Sequence, residues 1–434
     1  MTSPRVLAAL PASCALVLLA GACSSERQGT VRLDLGEEVD ALSRAPAPVT
    51  LVVSSVDLDE NVKELSRTPL PASTIDLGEV PRTDVGAIRV AGLLADGTPV
   101  VKGTSLFVQW GALERGDLPV FAQRVGELAR LPAGPSLTDA AVATVVAGRW
   151  MVAAKGTATT VYDLLQLRTY AESPTLPRTA RSLATYGSVL IAIDEGAAAG
   201  LDLGTGATAE VVAPSGGTLA EVSGGLTFFA KDGSQLVVGA TRREGDPTAR
   251  VLRVGTDGSL SFASLASPRR GACATWVEGR GLVVWGGSDA SPGGELLAPG
   301  ATTAVTLPFP PDAVTACAAA PLGPSTVLIA GGARADGVVT RARVVDLACT
   351  TSCAVREVAG EVPLLRAEAL AVAGGAALVT GDDATGATRA FRVTESAIRE
   401  VALRAPRRGA RLLASPLGGA LVVSGAPGLE HYTE

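Results

Sequence analysis

The sequence predicts an all-β protein in which a seven-bladed β-propeller follows a signal peptide and a small β-sandwich domain of immunoglobulin-like type. Two observations lead to the propeller. A short apolar run recurs seven times, at intervals of 39 to 51 residues. The chain also contains 50 Gly and 27 Pro but only 3% aromatic residues, which favours a turn-rich β structure with a core of Ala, Val and Leu.

The recurring apolar run is the main marker of the repeat. Its spacing lies near the roughly 40–50 residues that are typical of four-stranded propeller blades. The runs lack the strict alternation of a half-exposed strand, as expected for strands that are buried on both faces between neighbouring sheets. The copies begin at Trp150, Val189, Leu236, Leu282, Val327, Leu378 and Leu421.

A second strand candidate precedes each copy and would form the inner strand of each blade. Several of these candidates follow a Pro-Arg pair or a single Arg, such as Arg366. The candidates are Ala140–Val146, Arg181–Tyr186, Thr218–Val222, Ala272–Val277, Val314–Ala320, Ala369–Ala373 and Arg411–Ser415.

The copy at Val327–Gly332 carries the clearest motif. It reads Val-Leu-Ile-Ala-Gly-Gly, and Val344–Leu347 follows as a further strand. Together with the preceding Pro-Arg pairs, this pattern resembles a degenerate kelch repeat over about residues 136–434. Kelch repeats form β-propellers, so the resemblance implies the same fold. The paired glycines are complete only at 286–287 and 331–332, and the Tyr and Trp of the kelch pattern are missing after them.

The ring of blades has to be closed. The last copy, residues 411–434, has room for only three strands before the chain ends. A further strand candidate, Val125–Leu131, lies just before the first copy. We therefore predict that Val125–Leu131 completes the last blade of a propeller that covers residues 121–434. This pairing would remove a sheet edge that could otherwise aggregate.

Residues 1–23 resemble a bacterial lipoprotein signal peptide. Arg5 supplies the positive charge, and the apolar segment Val6–Leu19 is too short for a membrane span, which needs about 20 residues. The sequence Leu-Ala-Gly-Ala before Cys23 is similar to a lipobox, although Ala20 stands where Leu is usual. The resemblance implies that Cys23 is acylated, and Ser24 after it implies the outer membrane. The alternative is ordinary cleavage that leaves Cys23 as a thiol.

Residues 24–120 are predicted to contain a short polar tether and the sandwich domain. Short strand candidates separated by turn signals, such as Asp96-Gly97, favour a small β domain. The candidates are Val31–Leu35, Val49–Val56, Ser73–Leu77, Ala87–Leu94 and Val100–Trp110.

Four cysteines remain outside the signal peptide, an even number that permits disulfides in an exported chain. Cys349 and Cys353 flank a tight turn, which brings their Cα atoms within the ~7 Å that a disulfide requires. Cys273 and Cys317 occupy nearly equivalent positions in adjacent copies. They form either a bridge between neighbouring inner strands or two buried thiols. We expect no metal and no other cofactor, because no second Cys pair or His accompanies the CxxxC spacing.

Catalytic motifs are scarce in this chain. His431 is the single histidine, which excludes most catalytic mechanisms that pair a serine or cysteine with a histidine and most metal sites with several histidines. We expect His431 at an edge strand or on the surface. Acidic pairs such as Asp382-Asp383 leave a glycosidase or lyase open, since two carboxylates suffice for glycoside cleavage. The net charge of −6, without a basic and aromatic stretch, argues against nucleic acid as a partner.

Two further sets of residues have both a binding and a structural interpretation. A basic cluster could face an anionic ligand, but pairing with acids and carbonyl groups between blades is favoured. Trp276 and Trp285 could stack on a sugar, but their positions inside apolar runs favour core packing. The basic cluster consists of Arg404, Arg407, Arg408 and Arg411.

These observations predict a non-catalytic binding scaffold that is held at the outer membrane by acylated Cys23 and binds a protein or cell-surface partner through its propeller loops. The alternative is a carboxylate-based carbohydrate-active enzyme on the propeller face. A purely structural envelope protein is a third possibility. The enzyme would require acids from different blades to converge within ~5–10 Å in one cleft.

Overall fold

The computed structural model describes residues 31–71, 84–111, 118–139, 142–287 and 293–434. Seven four-stranded sheets form the blades of a β-propeller, so the predicted all-β, seven-bladed fold is confirmed. None of the helices in the described ranges has the length and apolar character needed to cross a membrane. The predicted signal peptide with Cys23 and the strand candidate Ser73–Leu77 lie outside the described residues.

Seven strands form a sheet ahead of the propeller, in the order β1-β7-β5-β4-β2-β3, with β6 paired to β4. They are β1 (Val31–Asp34), β2 (Thr50–Asp57), β3 (Val62–Pro69), β4 (Val85–Leu93), β5 (Pro99–Thr104), β6 (Val108–Gln109) and β7 (Leu118–Arg124). The last strand, β7, runs across residue 120, where the sequence places the end of the small domain.

The sheet of the small domain folds over its own core. Strand β7 pairs with β1 in parallel through its first half and with β5 through its second half. Strands β1, β2, β4 and β7 all contribute apolar side chains to one cluster. The described residues form a single sheet here and not the two separate sheets of the predicted sandwich.

Two short strands, β8 (Leu128–Arg130) and β9 (Ser136–Leu137), precede blades 1 to 4. Each of these four blades is an antiparallel meander of consecutive strands. Blade 1 contains β10 (Val142–Val146), β11 (Trp150–Lys155), β12 (Ala158–Asp163) and β13 (Arg168–Thr169); blade 2 contains β14 (Ser182–Tyr186), β15 (Val189–Ile193), β16 (Ala198–Asp202) and β17 (Thr208–Val211); blade 3 contains β18 (Leu226–Phe229), β19 (Gln235–Val238), β20 (Thr248–Val254) and β21 (Leu260–Arg269); blade 4 contains β22 (Cys273–Val277), β23 (Gly281–Trp285), β24 (Gly294–Leu297) and β25 (Val305–Thr306).

Blades 5 and 7 carry additional short strands. In every blade the recurring apolar run forms the second strand, as predicted. Blade 5 contains β26 (Ala318–Pro321), β27 (Thr326–Ala330), β30 (Arg343–Asp346) and β31 (Arg356–Glu357), with β28 (Ala333–Arg334) and β29 (Gly337–Val338) between them; blade 6 contains β32 (Arg366–Val372), β33 (Ala376–Asp382), β34 (Thr388–Thr394) and β35 (Ile398–Val401); blade 7 contains β36 (Arg411–Ala414), β37 (Ala420–Val423), β38 (Ala426–Pro427) and β39 (Glu430–Tyr432).

Blade 7 is completed by the segment that precedes blade 1. Strand β8 pairs antiparallel with β39, with Leu128 opposite Tyr432 and Arg130 opposite Glu430. Strand β9 adds a second pairing, with β38. The predicted closure of the ring through Val125–Leu131 is confirmed.

The inner strand of blade 3 differs from the prediction. The sequence predicts a strand at Thr218–Val222, but Leu219–Glu221 forms a turn of 3-10 helix and the first strand is β18. Thr218 and Glu221 form a capping box, in which the Thr218 backbone N–H donates to Glu221 Oε2 at 2.8 Å. This cap favours a helical turn over an extended strand.

Buried ion pairs hold the segments that enter two of the blades. Arg407 precedes blade 7 and donates from Nε to Glu430 Oε1 of β39 at 2.9 Å, and both side chains are 0% exposed. Arg269 and Glu295 form an equivalent pair between β21 and β24, also at 0% exposure. Because Glu430 also accepts from the Arg404 backbone N–H, it fixes the entry to the blade that closes the ring.

We predict that Glu430→Gln lowers the free energy of unfolding by about 3 kcal/mol, because it leaves the buried Arg407 guanidinium without a counter-charge. Chemical denaturation at neutral pH measures this change. Glu64→Gln, which breaks an exposed ion pair with Arg67, is the control and should leave the midpoint unchanged. Equal midpoints for Glu430→Gln and wild type would show that the pair contributes nothing to the closed ring.

Candidate functional site

The channel of the propeller opens at the end where the first strands of the blades begin. Two adjoining cavities, of about 1190 Å³ and 310 Å³, occupy this end and share Arg243 and Arg411 in their walls. We call this region the channel mouth. Every blade contributes a residue at or next to the start of its first strand: Val142, Arg181, Leu226, Ala272, Cys317, Arg366 and Arg411.

Backbone hydrogen bonds link consecutive blades around part of the mouth. The Gly271 N–H donates to Arg242 O at 2.7 Å, the Ala316 N–H to Gly271 O at 2.6 Å, and the Ala367 N–H to Ala316 O at 3.0 Å. Ala316 has a φ of +54°, so β26 begins at Ala318 and not at Val314 as the sequence predicts. This chain of bonds connects blades 3 to 6 along their side of the mouth.

Arg243 lies across the mouth from blades 6 and 7. It follows the 3-10 turn Gly239–Thr241 of blade 3, and the charged groups that act on it belong to the opposite side of the ring. These groups are Arg366, Glu368 and Asp382 of blade 6 and Arg411 of blade 7. Arg243 is exposed, and partial desolvation by the walls lowers its pKa, while Glu368 and Asp382 favour its charged form.

The two carboxylates in the wall of the smaller cavity are already occupied. Glu368 Oε1 lies 3.1 Å from Arg411 Nη1, and Glu368 Oε2 accepts from the Leu412 N–H at 2.9 Å. Asp382 Oδ1 accepts from the Gly409 N–H at 2.9 Å and from the Thr388 hydroxyl at 2.8 Å. Both acids therefore join blade 6 to the start of blade 7.

The predicted acidic pair Asp382-Asp383 does not act as a unit. Asp383 accepts from the Thr385 N–H at 2.8 Å and from the Thr385 hydroxyl at 2.7 Å, and these bonds lower the pKa of Asp383. Asp382 instead holds the segment that enters blade 7. The arrangement favours structural roles for both carboxylates over proton transfer.

The predicted Cys349–Cys353 disulfide is present, and Cys273 and Cys317 form a bridge rather than two buried thiols. Cys273 and Cys317 are joined with Cα atoms 5.2 Å apart, at the start of the first strands of blades 4 and 5, and Cys317 lies in the wall of the mouth. Cys349 and Cys353 are joined across the turn that follows β30, with Cα atoms 5.7 Å apart. Across the described ranges, no group of three or more His, Cys, Asp or Glu residues is placed to hold a metal ion.

Three of the four residues of the predicted basic cluster pair with acidic residues, which is the interpretation that the sequence favours. Arg407 binds Glu430, Arg411 binds Glu368, and Arg404 donates to Glu127 Oε2 at 2.6 Å. Only Arg411 reaches the mouth. The sequence interpretation missed Arg243, which stands in an unremarkable polar loop.

The two tryptophans have structural environments. Trp285 is fully buried, donates from Nε1 to Asp312 Oδ2 at 2.8 Å, and contacts Phe309 edge to face. Trp276 is partly buried and packs against the apolar cluster between blades 3 and 4. Core packing, the favoured interpretation, describes both residues.

His431 is buried and does not lie at an edge or on the surface as the sequence predicts. Its Nε2 lies 2.6 Å from Gly418 O, and its Nδ1 lies 2.9 Å from the side-chain amide of Gln123 in β7. The prediction fails because β8 adds beyond β39 and the small domain covers the blade. Burial lowers the pKa of His431 to about 4.

Comparison with known proteins adds structural likeness only. No family model and no curated protein matches the sequence. Among solved structures, the WD40 domain of Neurospora crassa Pan2 is 9% identical, with a TM-score of 0.45, covering 72% of this chain and 99% of that chain. U3-55K is 9% identical with a TM-score of 0.46, covering 70% and 98%. The computationally designed Ika8 protein is 13% identical with a TM-score of 0.44, covering 70% and 99%.

We predict a pH dependence of stability that originates at His431. Its pKa is near 6.5 in the unfolded chain and about 4 in the folded protein, so the unfolded chain binds more protons between these values. The contribution of the neutral His431 ring to the free energy of unfolding is complete above pH 6.5. It falls by up to about 3 kcal/mol as the pH decreases towards 4.

Denaturant unfolding at pH 7, 5.5 and 4.5 measures the effect. His431→Gln removes the titrating ring, so its free energy of unfolding should decline less than that of the wild type over this range. An equal decline in the free energy of unfolding of the two proteins between pH 7 and 4.5 would contradict the assignment to His431.

Proposed function

We propose that this protein is a non-catalytic binding protein, anchored in the outer membrane through acylated Cys23, that binds a protein or cell-surface partner at the channel mouth. The open mouth is the observation that carries the proposal. A cavity of about 1190 Å³ is bordered there by loops of several blades. Ligand sites are commonly concave and contain a few polar groups that orient the ligand.

The walls of the mouth suit binding better than catalysis. Glu368 and Asp382 hold strand ends and a guanidinium, which leaves neither carboxylate placed as a free acid or base. A glycosidase or lyase needs two carboxylates on opposite sides of a substrate. Of the other acids in the larger cavity, Glu195 pairs with Arg181, Glu221 pairs with Arg250, and Glu244 and Asp246 lie on one loop. The enzyme alternative therefore has less support than the binding function.

The anchor would keep the small domain near the bilayer. Residues 24–30 span at most about 25 Å when fully extended, at about 3.3–3.6 Å per residue. Acylation of the kind that the lipobox implies supplies several chains, and stable anchoring takes more than one. A short tether of this length would present the propeller close to the membrane surface.

We predict that Cys23→Ala releases the protein from membranes, because the acylated thiol is lost. Detergent phase partitioning and labelling with a fatty acid analogue measure the change. Cys14→Ala, which changes a cysteine inside the predicted signal peptide, is the matched control and should keep both properties. Continued labelling of the Cys23→Ala variant would show that Cys23 is not the acylated residue.

We predict that a photo-crosslinking residue at Glu244 captures the partner on intact cells. Glu244 is exposed and lies in the wall of the mouth. Glu278 follows β22 at the opposite end of the channel, so the same crosslinker there is the control. Adducts that form at position 244 and not at 278 support the proposal. Absence of adducts at 244, or equal adducts at both positions, would exclude the mouth as the binding face.

A further inference from the structure

We infer that the channel mouth binds an oxyanion, a carboxylate or phosphate group of the ligand, between Arg243 of blade 3 and the Arg366–Arg411 side of the mouth. This inference rests on the proposed binding function and names the chemical class of the ligand. Arg243, Arg366 and Arg411 line the smaller cavity together with only two carboxylates, Glu368 and Asp382, while Lys155 in the same wall is paired with Asp139, so the group carries an excess of one positive charge. The chain as a whole has a net charge of −6, so this local excess is not a general property of its surface.

Arg243 has no structural partner that would explain its position. It makes no hydrogen bond and no ion pair with the described part of the chain. An arginine stays charged in proteins, and Arg243 is exposed in the walls of both cavities, so its guanidinium is free to donate to a ligand. The mouth therefore presents a charged donor without an acceptor, which an anionic ligand would satisfy.

The neighbouring Arg242 shows the structural alternative. Its guanidinium donates to Ala220 O at 2.8 Å and to Asp246 O at 3.0 Å. These bonds fix the loop that carries both arginines, and Gly245 with its φ of +81° makes the turn possible. Arg242 thus holds the loop, and Arg243 is left to line both cavities.

Arg366 is the second guanidinium without an acceptor. It stands at the start of β32 and lines the smaller cavity, and its side chain makes no hydrogen bond or ion pair within the described ranges. The acids nearby cannot easily serve it, because Glu368 and Asp382 already accept bonds from blade 7. Two guanidinium groups without acceptors therefore face one cavity from opposite sides.

The geometry suits a group with several oxygen atoms. A guanidinium donates two parallel hydrogen bonds to a carboxylate or phosphate, and such charge-assisted bonds are about twice as strong as neutral ones. Arg243 and Arg411 line both cavities, so they mark the neck between them. An oxyanion at this neck would contact arginines of blades 3, 6 and 7, while the rest of the ligand occupies the larger cavity.

Titration calorimetry on the detergent-solubilised full chain, in low-salt buffer, tests the inference with inorganic pyrophosphate and citrate as probes. We expect at least one probe to bind. Arg243→Gln and Arg366→Gln should each weaken that binding about tenfold or more, because each removes a charge-assisted donor. Arg356→Gln is the matched control, since Arg356 is exposed on β31 and pairs with Glu395. Binding of pyrophosphate alone assigns a phosphate ligand, and binding of citrate alone assigns a carboxylate.

Failure of both probes, or equal affinity for wild type and Arg243→Gln, would overturn the inference. Thermal unfolding supplies a second readout, since a group without partners is not needed by the fold. Arg243→Gln should unfold at the same or a higher temperature than wild type, and a lower temperature would mean that Arg243 is structural. Partner adducts at position 244 without probe binding would exclude the oxyanion site and support the proposed binding function. Probe binding without adducts would support the oxyanion site and exclude the mouth as the face that binds the partner.

Discussion

The pairing of β8 with β39 is the constraint on which the rest of the structure depends. Each blade has two apolar faces and needs a neighbour on both, so the sheets bury their cores only when the ring closes. Leu128 of β8 and Tyr432 of β39 pack with Leu378 and Val401 of blade 6, so the added strand also completes the interface between blades 6 and 7. Without β8, β39 would be an unpaired edge beside an incomplete core.

The propeller uses arginine in two different ways. Inside the ring, Arg269 and Arg407 are buried against Glu295 and Glu430, respectively. Blade 5 has a similar ion pair with the charges reversed, because Asp312 in the entering segment binds Arg343 of β30. Such pairs add little net stability, but removal of one partner is costly, so they favour one register of the entering segment. At the mouth, by contrast, the Arg243 and Arg366 side chains have no acceptor among the described residues, and the proposed ligand would supply one.

Sequence patterns predicted the repeated strands and the strand that closes the ring, and missed one local cap and the contacts that only the assembled ring creates. Runs such as Val327–Ala330 identified the second strands because burial on both faces leaves a continuous apolar signature. The Thr218 cap overrode a weak strand pattern, and His431 became buried only through β8 and the small domain. Arg243 could not be recognised because its neighbours at the mouth come from other blades, and its own loop resembles any polar turn.

Ring closure and the candidate site are physically linked. Arg243 faces blades 6 and 7 because seven blades place them opposite blade 3, and blade 7 is complete only when β8 adds to it. An oxyanion held by Arg243 and Arg411 would connect the two sides of the channel without any covalent link. Because such a ligand binds the closed ring and not an opened one, it would stabilise the closure by mass action. Partner binding at the mouth would therefore strengthen the same head-to-tail pairing that creates the site.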